Sequence, residues 1–278
     1  MINVSSPMAV SVFDATSISL KNDRQDRLIH QYSGTGIGAG RPMPRGFRAN
    51  PEMIRRTGPL AVEFLYQNSV MLCACFRPHL TSSKRNRRNW AKHEAISYLW
   101  GFIAEMFDEI FNGHAADVSE TEIISDRLGK PHLLIGASEE LDVSFSYEGR
   151  TMWTAVCRAG GGIGIDAAQS SSFPDDYPFH RAFQEGELEI GFKTGEAAAM
   201  IWSAKEAVVK ALGFGFHFVD PLHLRVEPCF LCHGGGVLKV YFTHRTLEAL
   251  CIKVENPVYL RILRHGGMWI SVATINKG

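Results

Sequence analysis

The chain has no run approaching the roughly 18 consecutive apolar residues of a membrane-spanning helix, which argues against an integral membrane protein. Its first twenty residues have no basic segment and no long apolar core, so we expect no secretory signal there. The formal net charge is zero, and it therefore favours neither nucleic acid nor a membrane surface as a partner. Six cysteines without a signal predict reduced thiols and a cytoplasmic location.

Acidic residues are also missing between Glu63 and Glu94. Six basic residues fall in that interval instead: Arg77, Lys84, Arg85, Arg87, Arg88 and Lys92. A solvated helix face and an anion-binding site both explain such a charge distribution, and the sequence leaves the choice open.

Hydrophobic spacing predicts strands and one helix in the first part of the chain. Residues 1–60 show no sustained period, so we expect a loop-rich N-terminal extension. The apolar run at 69–76 predicts a strand, and apolar residues three and four apart predict a helix over about 83–111. Two strand-like runs at 141–146 and 151–157 are joined by a glycine-containing turn, which predicts a hairpin.

A second helix is predicted over about 195–212, with Thr194 as its N-cap and Gly213 just after its end. Strand-like runs separated by turns follow this helix and predict an antiparallel meander. These runs lie at 222–227, 237–243, 258–264 and 268–275.

The order of elements predicts an α+β protein of two similar halves side by side. Each half is expected to be a helix packed on a small antiparallel sheet, with the active site at the interface, because clefts between such halves favour ligands. The predicted boundaries are 1–60 for the extension, 61–160 for the N-terminal half and 161–278 for the C-terminal half. We expect the protein to be a monomer.

The strongest functional signal is a pair of motifs, "GIGIDAA" at 162–168 and "WSAKEAVVKALG" at 202–213. Asp166 and Glu206 are hard oxygen donors for Mg²⁺, and Lys205 and Lys210 can neutralise phosphate oxygens. Asp166 is predicted to end a buried strand, where many aspartates merely cap a turn. Glu206 on its own fits an ordinary surface pair with Lys210 four residues on. Together the motifs predict a site for a metal ion and a polyphosphate.

These two motifs resemble the signature pair of the 4′-phosphopantetheinyl transferases, specifically the monomeric, surfactin-synthetase-activating (Sfp) type. The resemblance covers about residues 69–275. It implies transfer of the 4′-phosphopantetheine arm from coenzyme A to a serine of an apo acyl or peptidyl carrier protein. It also implies that Asp166 and Glu206 hold Mg²⁺, that Glu206 accepts the serine proton, and that Lys205 and Lys210 bind phosphate oxygens.

Further positions are carried over from the same resemblance. "GKP", comprising Gly129, Lys130 and Pro131, matches positions on the adenine side of coenzyme A, and Ser146 matches a serine that contacts it. The arginine-rich "KRNRRNWAKHEA" resembles the start of the family's N-terminal helix. The candidates there for binding the 3′-phosphate of coenzyme A are Lys84, Arg85 and Arg88.

The chain departs from the family pattern at three positions. An arginine that is usual in the N-terminal helix has no clear counterpart, and Lys92 is the nearest basic residue. The family commonly has a second acid two residues after the strand aspartate, where this chain has Ala168. Tyr147 stands where the family usually has histidine, and it can donate a single hydrogen bond to a phosphate. Glu148 is a candidate third metal ligand in place of the missing acid, although an exposed turn glutamate fits the sequence equally well.

Two other functions stay open at this point. The departures at Ala168 and Tyr147 also fit a non-catalytic relative that binds coenzyme A or a carrier protein. "CFLCH" at 229–233 spells a haem-attachment pattern, but attachment normally requires export. Zinc held by Cys229, Cys232 and His233, with His217 or His223 as the fourth ligand, would make an interaction module.

Overall fold

The computed structural model describes residues 61–66, 69–76, 92–97, 100, 121–135, 139–149, 151–158, 161–232, 234–243, 246, 254 and 256–276. In this part of the chain, eleven strands form two antiparallel sheets. The α+β class is therefore confirmed, while the similarity of the two halves stays a prediction. The expected extension over 1–60 lies outside the described residues.

The first sheet has six strands in the order β1-β2-β6-β5-β4-β3. The hairpin predicted from the sequence is confirmed as β5 and β6, and Gly149 in its turn has a φ of 60°. A positive φ is readily adopted by glycine, which explains its place in this tight turn. The strands are β1 (Ala61–Tyr66), β2 (Ser69–Phe76), β3 (Thr121–Ser125), β4 (Pro131–Ile135), β5 (Glu139–Glu148) and β6 (Thr151–Arg158).

The second sheet has five strands in the order β7-β11-β10-β9-β8. The four-stranded meander predicted after the long helix is confirmed, although its first strand continues past residue 227, with a register shift between Pro228 and Phe230. The strands are β7 (Gly161–Gln169), β8 (Leu224–Cys232), β9 (Gly235–Phe242), β10 (Val258–His265) and β11 (Met268–Asn276).

The second sheet packs one apolar face against the long helix, Thr194–Leu212. Strand β10 shows the alternation that this requires: Val258, Leu260 and Ile262 are buried, whereas Tyr259 between them is exposed. Successive side chains of a strand point to opposite faces, so a period of two creates one face for the core.

The long helix was predicted correctly except at its first residue. Its interior is rich in alanine, the strongest helix former. It begins at Thr194, so the predicted N-cap is wrong: Lys193 precedes the helix with extended backbone angles, and no side chain caps the helix there. Gly213 ends the helix in the left-handed conformation, and its N–H donates to the Lys210 carbonyl, as glycine commonly does after a helix.

Gly164 lets this helix approach β7 closely. A Cβ atom built on Gly164 would lie 1.9 Å from the Ala207 carbonyl oxygen and 2.5 Å from the Ala211 nitrogen, both in the helix backbone. Only a residue without a side chain fits between the two backbones. The middle glycine of "GIGID" therefore sets the distance between the strand that carries Asp166 and the helix that carries Glu206.

Of the first predicted helix, 83–111, the structure describes residues 92–97 and 100, and these are helical. The remainder of that prediction lies outside the described residues. Among the helices that the structure describes, none is both long enough and apolar enough to cross a membrane.

Candidate active site

The sequence predicts that Asp166 ends a strand. In the structure Asp166 lies within β7, which continues to Gln169. The residue is only 4% exposed. Its Oδ1 atom accepts a hydrogen bond from the Ser146 hydroxyl of β5 at 2.8 Å and another from the Lys210 ammonium at 2.7 Å. Strands from both sheets and the long helix thus converge on one buried carboxylate.

Two serines of β5 hold the edge of β7 in place. The Ile165 N–H donates to the Ser144 hydroxyl and the Ala167 N–H donates to the Ser146 hydroxyl, both at 3.1 Å. β7 is the last strand of its sheet, so these hydroxyls satisfy backbone donors that a neighbouring strand would otherwise accept. Ser146 therefore fixes both the strand and the carboxylate of Asp166.

Lys210 lies between the two carboxylates predicted to bind a metal. Its ammonium is 2.7 Å from Asp166 Oδ1 and 3.2 Å from Glu206 Oε1, and it also donates to the Ile165 carbonyl at 3.2 Å. Glu206 precedes Lys210 by four residues, so the two side chains are neighbours on one helix face. The ion pair between Glu206 and Lys210 that the sequence suggests is present, and Asp166 also pairs with Lys210.

For both Asp166 and Lys210, burial and the oppositely charged neighbours shift the pKa in opposite directions. Burial raises the pKa of Asp166 to about 7, although the Lys210 ammonium opposes this shift. Burial by itself would lower the pKa of Lys210, but the Asp166 and Glu206 carboxylates outweigh it and hold that pKa above its usual value. Lys210 therefore stays charged, and it is the cation of the cluster at neutral pH.

The raised pKa of Asp166 predicts a pH effect on folding. Between the ordinary value of 3.8 and about 7, the folded protein holds a proton on Asp166 that the unfolded chain has released. The Asp166 contribution to the free energy of unfolding is thus present below pH 3.8 and declines as pH rises towards 7. Urea unfolding measured between pH 3.8 and 7 should show that the free energy of unfolding falls more steeply with pH in wild type than in Asp166→Asn. Equal slopes in the two proteins would contradict the prediction.

A cavity of about 750 Å³ opens over this cluster. Asp166, Glu206 and Lys210 contribute its charged side, and Phe145, Phe173 and Trp202 are its larger apolar lining residues. The other lining residues come from both sheets, the segment after β7 and the first helical region: Lys92, Ser146, Tyr147, Glu148, Met152, Ala167, Ala168 and Ser172. A polar end joined to aromatic side chains suits a ligand that has both phosphate and organic parts.

Lys92 and Phe173 are cavity residues that the motif-based site prediction did not include. The Lys92 ammonium lies 5.3 Å from the centre of the Phe145 ring, a cation–π distance that places a positive charge beside the cavity. The sequence signals for Lys92 were its position as the last of six basic residues before Glu94 and its place nearest to the arginine that is usual in the family's N-terminal helix. Phe173 had no such signal, because it follows β7 in an irregular segment.

Tyr147 and Glu148 both line the cavity, as the hairpin position of these residues requires. Glu148 accepts a hydrogen bond from the Ser172 hydroxyl at 3.0 Å. Across the described part of the chain, no three His, Cys, Asp or Glu side chains lie close enough together to hold a metal ion. The predicted set of Asp166, Glu206 and Glu148 is therefore not assembled as three ligands.

The remaining pair, Asp166 and Glu206, still fits a hard divalent cation. Mg²⁺ is usually held by one or two carboxylates, with water and substrate phosphates completing its shell. Both side chains offer carboxylate oxygens, and the Lys210 ammonium already lies within 3.2 Å of each of them. The Lys210 ammonium therefore occupies a position between the two carboxylates that suits a positive charge.

Lys205 does not reach the cavity, although it lies next to Glu206 in sequence. Its side chain is fully buried and its ammonium donates to Glu187 at 2.7 Å, to the Ala182 carbonyl at 2.9 Å and to the Pro221 carbonyl at 3.1 Å. An ammonium has three protons, so these acceptors use all of them. The described arrangement thus leaves no donor for the predicted phosphate contact, and Lys205 joins the helix to two neighbouring segments.

Replacing Lys205 is therefore predicted to affect folding. Lys205→Met would leave the Glu187 carboxylate buried without its ion pair, and removing one partner of a buried pair typically costs about 3–5 kcal/mol. Urea unfolding should show this loss, and the same change at exposed Lys193 should leave stability nearly unchanged. Unchanged stability together with weakened coenzyme A binding would instead support the phosphate-binding role.

"GKP" lies at the start of β4, and its residues are not among the described residues that line the cavity. Gly129 has a φ of 88° in the turn before Pro131. The Lys130 ammonium donates to the Ala211 carbonyl at 3.3 Å and lies 3.5 Å from Asp142. Ala211 is in the last turn of the long helix, where a positive charge is favourable.

The remaining sequence predictions can be placed only in part. The candidates for binding the 3′-phosphate, Lys84, Arg85 and Arg88, lie outside the described residues. Cys229 is an exposed free thiol on β8. His233, one of the candidate zinc ligands, lies outside the described residues, so the zinc alternative stays a prediction.

The comparison with protein families agrees with the location of this site. The model of the 4′-phosphopantetheinyl transferase superfamily matches residues 162–256. The matched region includes β7 with Asp166 and the helix with Glu206 and Lys210. No curated protein matches the chain.

Proposed function

We propose that this protein is a Mg²⁺-dependent 4′-phosphopantetheinyl transferase of the Sfp type, which modifies a serine of an apo carrier protein. The observation that carries the proposal is the convergence of Asp166, Glu206 and Lys210 on one cavity. The superfamily match over the same elements supports phosphopantetheine transfer in general. Coenzyme A is the donor in this proposal, and the carrier protein is the acceptor.

The reaction would join the serine oxygen to the phosphorus that bears the pantetheine arm. The bond from that phosphorus to the other half of the pyrophosphate breaks, and adenosine 3′,5′-bisphosphate leaves. Glu206 is the candidate to accept the serine proton, since its side chain is 31% exposed at the cavity and so accessible to an incoming hydroxyl. Lys210 would donate hydrogen bonds to phosphate oxygens and offset their charge.

Asp166 and Glu206 are the residues that would hold Mg²⁺, which when bound neutralises charge on the pyrophosphate. Ser146 keeps Asp166 oriented through its 2.8 Å hydrogen bond. Phe173 and Trp202 would contact the organic part of the donor and keep water from that side of the cavity. In this proposal Lys205 has a structural role, because its three protons are already bound to protein oxygens.

The test is to incubate the protein with coenzyme A, Mg²⁺ and an apo carrier protein and to measure adenosine 3′,5′-bisphosphate by chromatography. We expect the product to appear only with an intact carrier serine, so a carrier with that serine changed to alanine is the control. If calorimetry showed that coenzyme A binds, but no product formed with carriers of fatty-acid, polyketide or peptide synthesis, the non-catalytic alternative would be favoured.

A further inference from the structure

The position of the Lys210 ammonium has a consequence for metal binding. A divalent cation held by Asp166 and Glu206 would compete with an ammonium that lies 2.7 Å and 3.2 Å from the same two carboxylates. Two unit positive charges 4 Å apart repel each other by about 4 kcal/mol at the effective dielectric of a protein surface, and a divalent cation would be repelled about twice as strongly. The ammonium and the metal therefore cannot both be bound strongly in this arrangement.

The composition of the site strengthens this competition. Ala168, which is buried and lines the cavity, contributes no charge, and the described residues offer no third ligand close to the pair. The cluster consequently has two carboxylates and one permanent cation, which leaves a formal charge of only −1 to attract a metal when both acids are ionised. A divalent cation would therefore be attracted only weakly unless it displaced the Lys210 ammonium.

Lys210 has room to leave. Its side chain is 24% exposed and lines the cavity, so the flexible chain can carry the ammonium towards a ligand without unfolding the helix. Polyphosphate oxygens are strong acceptors for an ammonium. A donor in the cavity would thus offer Lys210 new partners and release both carboxylates.

We propose that Lys210 is a tethered cation that competes with the divalent metal for Asp166 and Glu206, and that a pyrophosphate-containing donor relieves this competition. Metal and donor then bind with positive coupling, each raising the affinity for the other by the same factor. The donor's identity rests on the proposed function, whereas the competition between Lys210 and metal does not.

The experiment measures binding of Mn²⁺, by electron paramagnetic resonance of the free ion, to the protein without any donor. Lys210→Met removes the charge, and Lys210→Gln removes the charge while keeping a hydrogen-bond donor for Asp166. Both variants should bind Mn²⁺ about tenfold more tightly than wild type or better, because the competing charge is gone. Lys210→Arg keeps the charge and should resemble wild type. Circular dichroism establishes that each variant is folded.

Coupling is measured by calorimetry as the ratio of coenzyme A affinities with and without saturating Mn²⁺. We expect a larger ratio in wild type than in Lys210→Gln. Mn²⁺ affinity in Lys210→Gln and Lys210→Met that equals or falls below the wild-type value would overturn the proposal. If both variants bound Mn²⁺ more tightly but the wild-type protein transferred no phosphopantetheine, the competition would stand and only the proposed function would be contradicted.

Discussion

Glu206→Gln is expected to lower the initial rate of phosphopantetheine transfer by about a hundredfold or more, the usual scale for loss of a general base. In the proposed mechanism the amide could not accept the serine proton, and it would replace an anionic metal ligand with a neutral one. The side chain is 31% exposed, so its loss should change the free energy of unfolding little. The measurement is the rate of adenosine 3′,5′-bisphosphate release at saturating coenzyme A.

The matched control for this substitution is Glu227→Gln. Glu227 is also a partly exposed glutamate, with 41% of its side chain accessible, but it lies on β8 and pairs with Arg225 outside the cavity lining. Its amide variant should transfer at the wild-type rate. If Glu206→Gln retained more than half of the wild-type rate while both proteins were folded, the role of Glu206 as proton acceptor would be untenable.

Gly164→Ala is expected to lower stability strongly. The added methyl group would lie 1.9 Å from the Ala207 carbonyl oxygen, and both contacting groups are backbone, so the helix itself must move. Overpacking a tight contact typically costs 1–3 kcal/mol, and we expect a loss of about 3 kcal/mol in the free energy of unfolding. Transfer should fall as well, because Glu206 and Lys210 move with the helix.

Gly234→Ala is the matched control for the change at Gly164. A Cβ atom on Gly234 would have no neighbour within 4 Å, so this variant should unfold at nearly the wild-type urea concentration. Chemical unfolding followed by circular dichroism gives both values. Equal stability of the two alanine variants would mean that the strand and the helix are not packed as closely as the structure shows.

Local patterns were sufficient to predict many elements of the fold. The long helix followed from its apolar spacing and from Gly213, and the β5–β6 hairpin followed from two alternating runs around Gly149. In both cases the residues that determine the element are close in sequence. The start of the helix was misplaced by one residue because Thr194 is a favourable cap residue, although its side chain makes no cap here.

The two lysines of the helix motif show the limit of sequence reasoning. Lys205 and Lys210 are five residues apart, which places them about 140° apart around a helix with 3.6 residues per turn. They cannot both face one cavity, whereas Glu206 and Lys210 are neighbours on one face. Spacing alone separates the lysines, but the packing partner of each face had to come from the tertiary structure.

Contacts across long sequence separations were also beyond prediction. Ser146 and Lys210 meet at Asp166 from positions 20 and 44 residues away, and only the arrangement of both sheets and the helix brings them together. The motif resemblance had placed Ser146 and Lys210 in the site without their mutual contacts. Phe173 reaches the cavity from an irregular segment, where no period indicates which side chains turn inwards.

The central claim is that the cluster of Asp166, Glu206 and Lys210 carries out phosphopantetheine transfer, and the intact mass of a carrier protein tests it most directly. After incubation with coenzyme A, Mg²⁺ and wild-type protein, an apo carrier should gain the mass of one phosphopantetheine arm on its serine, and with Glu206→Gln it should keep its original mass over the same time. An unchanged mass with wild-type protein across fatty-acid, polyketide and peptide-synthetase carriers, or an equal gain with both proteins, would contradict the claim.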